Sequence, residues 1–249
     1  MSATHSRSQD VASTLRTEIL RNQYRVGERL PSERDLSARF GVNRGAIREA
    51  LKQLEQLGII SIQPGGARVV PKEEATLEIL GHLLSLDEYP DPKLLDQFLL
   101  VFKVFCVMSA ENAITQASPA QLLAIETTVN ELKINIGDDT AMRLSWTELF
   151  DYFFTINDNL VMRLITNGLK GQLLERMKEF EPQPQADQQA LMEIINKLEH
   201  AIKNRDPIKL GNTIAQYFEF IRGITAAAFA NIRPSTQIEE LEALQNCND

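Results

Sequence analysis

Arginine dominates the cationic chemistry in the first third of this 249-residue sequence. Residues 1–72 hold 12 Lys and Arg against 7 Asp and Glu, whereas residues 73–249 hold 14 against 27. Of the early cations only Lys52 and Lys72 are lysines. A guanidinium can fork onto phosphate oxygens or onto the acceptor edge of guanine, which a lysine ammonium cannot. Arg44 and Arg48 stand four apart, and Lys52 follows after four more. A helix here sets all three on one face. A basic module joined to an acidic body, net −8 overall, is the electrostatic footprint of nucleic-acid binding.

The elements around these cations fit that chemistry. Val11, Leu15, Ile19 and Leu20 recur at helical spacing, with Ser8 as a cap candidate. In Leu30-Pro-Ser-Glu-Arg-Asp-Leu-Ser-Ala-Arg-Phe40, Ser32 is an N-cap candidate with Asp35 three residues on. Gly41 ends that helix at little steric cost. Asn43 caps a helix from Arg44 to Leu57 that buries Ile47, Ala50, Leu51 and Leu54. Two helices around a short glycine turn form a helix-turn-helix. Ile59–Gln63 and Ala67–Val70 read as strands around Pro64-Gly65-Gly66, a hairpin wing. Asn43, at a helix start, can hydrogen-bond a phosphate or a base edge. Gly65 lets the backbone approach a minor groove.

From residue 73 onward the pattern is helical: 74–86, 92–116, 119–136, 139–157, 159–180, 185–204, 207–230 and 236–245. Proline and Gly-Asp breaks separate these segments, including one at Arg233-Pro234. The expected fold is therefore mostly α, in two domains. Residues 1–72 form a winged helix-turn-helix, and residues 73–249 an all-helical effector-binding and dimerisation bundle. No apolar run is expected to span a membrane. A polar start and two cysteines, Cys106 and Cys247, point to the cytoplasm. Three scattered histidines and no GxSxG, P-loop, HExxH or dinucleotide fingerprint argue against an enzyme.

Leu30-Pro-Ser-Glu-Arg-Asp-Leu36, Phe40-Gly-Val-Asn-Arg44, Ile47-Arg-Glu-Ala-Leu-Lys-Gln-Leu-Glu55 and Gly65-Gly66 closely resemble the winged helix of the GntR family of bacterial transcription regulators. The all-helical remainder resembles the FadR branch of that family. Leu77–Asp87 and Asn159–Gly171 are similar to the matching segments of that branch. The resemblance implies a homodimer on a palindromic operator, contacting DNA through Arg34, Asn43, Arg44, Gly45, Arg48 and Gly65. Gly45 and Ala46 depart from the branch, which carries hydroxyl side chains there, and Pro64 replaces a wing histidine.

The resemblance also implies control of fatty-acid metabolism genes and release from DNA by long-chain acyl-CoA. The alternative is a regulator answering another small carboxylate or metabolite, or one without an acyl-CoA response. Many relatives hold a metal with histidines that fall here at Phe150, Ile195 and Tyr217, so no metal cofactor is expected. The stripes Trp146/Phe150/Phe153/Phe154 and Phe98/Phe102/Phe105 suit ordinary core packing and also an apolar ligand. Candidate ligand residues are Phe102, Lys103, Phe150, Lys170, Tyr217 and Arg222, the cations facing the phosphates of CoA. Phe218, Ile221 and Thr225 replace ligand-facing residues of the branch.

Overall fold

The structure is a computed structural model that describes residues 6–87, 89–179 and 187–246. It divides into two compact units, one ending at Pro90 and one starting at Asp91.

In the first unit α1 (Arg7–Leu20), α2 (Glu33–Phe40) and α3 (Arg44–Gln56) precede a hairpin of β1 (Ile60–Gln63) and β2 (Gly66–Val69). The pattern in α3 is realised residue for residue, with Ile47, Ala50, Leu51 and Leu54 all buried. They meet Leu15 of α1, Leu36 of α2 and Ile59 in one core. The α1 cap is Ser6 rather than Ser8. Ser6 accepts from the Gln9 backbone while the Gln9 side chain accepts from the Ser6 backbone, so two orphan donors are satisfied together. Gly41 sits in the left-handed region with φ 65° and closes α2.

The hairpin is antiparallel, pairing Ile60 with Val69 and Gln63 with Gly66. A third segment completes the wing. Leu30 donates to Ala67, Val69 to Glu28 and Gly27 to Val69, around an Arg29–Arg68 bridge.

The segment after the wing belongs to this first compact unit, which ends at Pro90. Instead of a helix over 74–86 there is a 3₁₀ turn (Lys72–Glu74) and a short α4 (Ile79–Leu83). Ile79 lies in the winged-helix core with Leu83 packed against it, and Arg21 donates to the Leu86 carbonyl at 2.6 Å.

The second unit holds α5 (Pro92–Gln116), α6 (Pro119–Ile134), α7 (Asp139–Ile156), α8 (Leu160–Glu179), α9 (Gln188–Lys203) and α10 (Pro207–Asn246). Asp91 and Ser118 cap α5 and α6, each with proline in the first turn. α10 packs along α5 and α9, and α7 packs along α5 and α6. α10 runs on through Pro234, where a break was expected. A proline there removes one backbone donor without forbidding the turns on either side. α5 is, against expectation, long and apolar enough to span a membrane by length and composition. Its Leu95, Phe98, Leu99, Cys106, Ala110, Ala113 and Ile114 are buried, as in the core helix of a bundle.

Candidate nucleic-acid interface and effector core

The exposed N-terminal face of α3 is built around Asn43. Its side-chain oxygen accepts from the Ala46 backbone at 2.9 Å, which leaves the amide NH₂ free to donate outward. Gly45 makes room for this cap, because a Cβ there would lie 3.2 Å from the Asn43 oxygen. Arg44 is exposed and makes no ion pair among the described residues.

Arg48 does not stand free. Its Nε donates to both carboxylate oxygens of Glu33 at 3.0 and 2.9 Å, which raises the guanidinium pKa. Arg34 lies 3.6 Å from Asp35 and is 80% exposed. Asp35 is held below its usual range, first by the Ser32 hydroxyl and then by Arg34. At the wing tip Gly65 adopts φ 108° with open space where a Cβ would point.

Between α3, the start of α2 and the wing lies a cavity of about 440 Å³ lined by Arg29, Glu33, Arg48, Lys52, Ile62 and Gly66 among others. Arg29 is the cation that sequence reasoning missed. It precedes α2 and carries no helical periodicity, and only the fold brings it against Gly66. Other arginines serve the fold. Arg39 pairs with Glu18 and lies over the Phe40 ring, and Arg68 donates to the Gly27 carbonyl.

In the second unit the two aromatic stripes meet. Phe102 of α5 stands 6.2 Å from Phe154 of α7 and 6.2 Å from Phe218 of α10. Trp146 of α7 stacks on Tyr217 of α10, ring centres 3.7 Å apart and planes 18° apart. Phe150 joins both Tyr217 and Phe218. Phe218 is therefore core that bridges the stripes.

The cations expected at a ligand mouth are each engaged by a carboxylate. Lys103 bonds Glu219 at 2.6 Å, and Lys170 pairs with Asp151. Arg222 pairs with Asp96 at 2.6 Å and with Glu219 at 2.7 Å. Asp96 and Glu219 are accordingly lowered from their usual carboxylate range, chiefly by Arg222 and Lys103 respectively. Burial raises the Cys106 thiol well above its usual value. Burial also raises the Tyr217 phenol, with Cys106 adding to the effect. The Trp146 indole nitrogen is buried without a hydrogen-bond partner among the described residues. Among the described residues no three of His, Cys, Asp and Glu converge on a metal position.

Residues 7–70 match the bacterial regulatory proteins of the gntR family. The fatty acid metabolism regulator protein of Yersinia pestis (strain Pestoides F) is 32% identical over 184 residues, 72% of this chain and 74% of that protein. The chain belongs to the GntR family of bacterial transcription regulators. This GntR protein falls with the FadR branch, since the protein of the same name from Enterobacter sp. (strain 638) is 30% identical over 175 residues, 70% of this chain and 72% of that one. Both matches are longer than the winged helix, so each reaches into the helical unit. The solved structure of Lar, which controls the expression of the Listeria monocytogenes agr system, has the same fold. Its TM-score is 0.54 at 15% identity, over 91% of this chain and 99% of that one. The winged helix is a DNA-binding module, and the protein is a regulator rather than an enzyme.

Proposed function

We propose that this GntR regulator works in the cytoplasm as a homodimer on a palindromic operator of fatty-acid metabolism genes, and that long-chain acyl-CoA releases it. Two recognition helices related by a two-fold axis read half-sites of matching symmetry. Arg44 and Arg48 reach base edges in the major groove, Arg34 and Asn43 meet phosphate, and the turn at Gly65 enters the minor groove. The observation that carries the effector reading is the aromatic core shared by α5, α7 and α10, in a chain whose helical unit is similar to proteins named fatty acid metabolism regulators. An acyl chain is taken up among Phe102, Phe150 and Tyr217. Lys103, Lys170 and Arg222 exchange carboxylate partners for the phosphates of CoA. The ligand shifts the protein only by binding the DNA-incompetent arrangement more tightly.

Selection from random duplexes, repeated with oleoyl-CoA present, tests this. A two-fold symmetric site that is lost on adding oleoyl-CoA, but not free CoA, is the expected result. An asymmetric site overturns the dimeric reading. A symmetric site indifferent to oleoyl-CoA favours the alternative that the packing of Phe218 between the stripes supports, a regulator answering a different metabolite or none.

A further inference from the structure

Trp146 is the sole tryptophan of the chain and only 3% exposed. Its indole N–H nevertheless has no acceptor among the described residues, which is exceptional for a buried donor. The ring lying flat against it, Tyr217, carries a hydroxyl that bonds no described residue. The buried indole N–H and the phenol of the partly buried Tyr217 thus share one stacked pair, walled by Phe150 and Phe218. Burial keeps the neighbouring Cys106 thiol protonated, and Lys170, whose charge the thiol senses, is neutralised by Asp151. Such a place suits an apolar molecule carrying an uncharged acceptor oxygen. A carboxylate would meet the Lys170 cation only by displacing Asp151 from it.

We propose that the Trp146 indole N–H, with the Tyr217 hydroxyl beside it, receives the carbonyl oxygen of the effector and so selects an acyl thioester or ester over the free fatty acid. This rests on the acyl effector reading above and names the atoms that make it selective.

Trp146 emission, unambiguous in a one-tryptophan protein, is followed while the full chain is titrated with oleoyl-CoA, methyl oleate, oleate and 1-octadecene. The first two are expected to shift the emission and to bind about tenfold more tightly than oleate or octadecene, roughly the worth of one hydrogen bond. Tyr217→Phe keeps the reporter and weakens the two carbonyl ligands alone. Trp146→Phe, followed by calorimetry after circular dichroism confirms folding, does the same. If Trp146→Phe does not fold, the wild-type comparison of ester with octadecene and the Tyr217→Phe titration decide. Equal affinity for ester and octadecene overturns the proposal. Release from DNA by oleoyl-CoA without any change in Trp146 emission overturns it too, while leaving the effector reading intact. A carbonyl-dependent emission shift without release keeps the proposal and removes the release. No binding of any of the four removes both.

Discussion

Arg48 on the recognition helix is clamped by Glu33 at the start of α2, its Nε within 3.0 and 2.9 Å of the two carboxylate oxygens. The pair ties the two helices of the helix-turn-helix together on their exposed side and fixes the arginine in one orientation. Both partners remain open to water, at 63% and 37% exposure. The pair therefore adds little to stability, and in the proposed complex DNA competes with Glu33 for the guanidinium.

Glu33→Gln removes that competitor. Operator affinity is expected to rise roughly two- to fivefold, about the energy of one exposed ion pair, and random-duplex affinity to rise less, since Arg48 faces a base edge. Fluorescence anisotropy on both duplexes reads this, and an unchanged operator affinity would show that Arg48 stays on protein in the complex.

Arg44 has no ion-pair partner to lose among the described residues. Arg44→Ala is expected to leave the melting temperature unchanged and to cost about 1–3 kcal/mol in operator binding. Binding to random duplex should weaken less. Equal losses on both duplexes would reassign Arg44 from base edge to phosphate.

Gly65 holds φ 108° at the wing tip. Gly65→Ala meets no neighbouring atom, so its whole effect is backbone strain, on the order of 1–3 kcal/mol. The thermal midpoint should fall accordingly, and a midpoint equal to wild type would refute the strain. Gly66→Ala carries the same kind of strain, at φ 122°, and in addition places its Cβ 2.7 Å from Arg29 Nε, displacing a groove-lining cation.

His82 of α4 has a lowered pKa, first through burial and then through Arg16, with Glu78 opposing. The folded state thus favours the neutral ring. Its contribution to stability is complete above the unfolded value of about 6.5 and is lost as pH falls through that value toward the folded pKa. Urea midpoints measured from about pH 7.5 down to about pH 5.5 should fall in wild type and fall less in His82→Gln. Parallel curves for the two proteins would contradict this.

The winged helix was largely legible because its signals are local. Ser32, Gly41 and Asn43 each act within one turn of where they stand, and the four buried residues of α3 declare its inner face. The missed features are long-range. The Arg29–Arg68 bridge is a single contact without periodicity, and α4 is too short to show which unit its Ile79 serves. In the helical unit the stripes were readable, but not that Phe218 of α10 would bridge them. Lys103 did not declare its partner because Glu219 lies 116 residues away in sequence, and Arg222 bonds Asp96, 126 residues away, as well as Glu219 one turn before it. No spacing rule encodes the two long-range pairs, and none reveals that Trp146 would be buried without an acceptor among the described residues.

The central claim is that the aromatic core and the DNA face bias one equilibrium. Operator affinity measured with and without saturating oleoyl-CoA, beside oleoyl-CoA affinity measured with and without saturating operator, tests it most directly. Linkage requires the two affinities to fall by the same factor, on the order of 5–150-fold for a typical coupling. Operator affinity that is unchanged at oleoyl-CoA saturation would contradict the account.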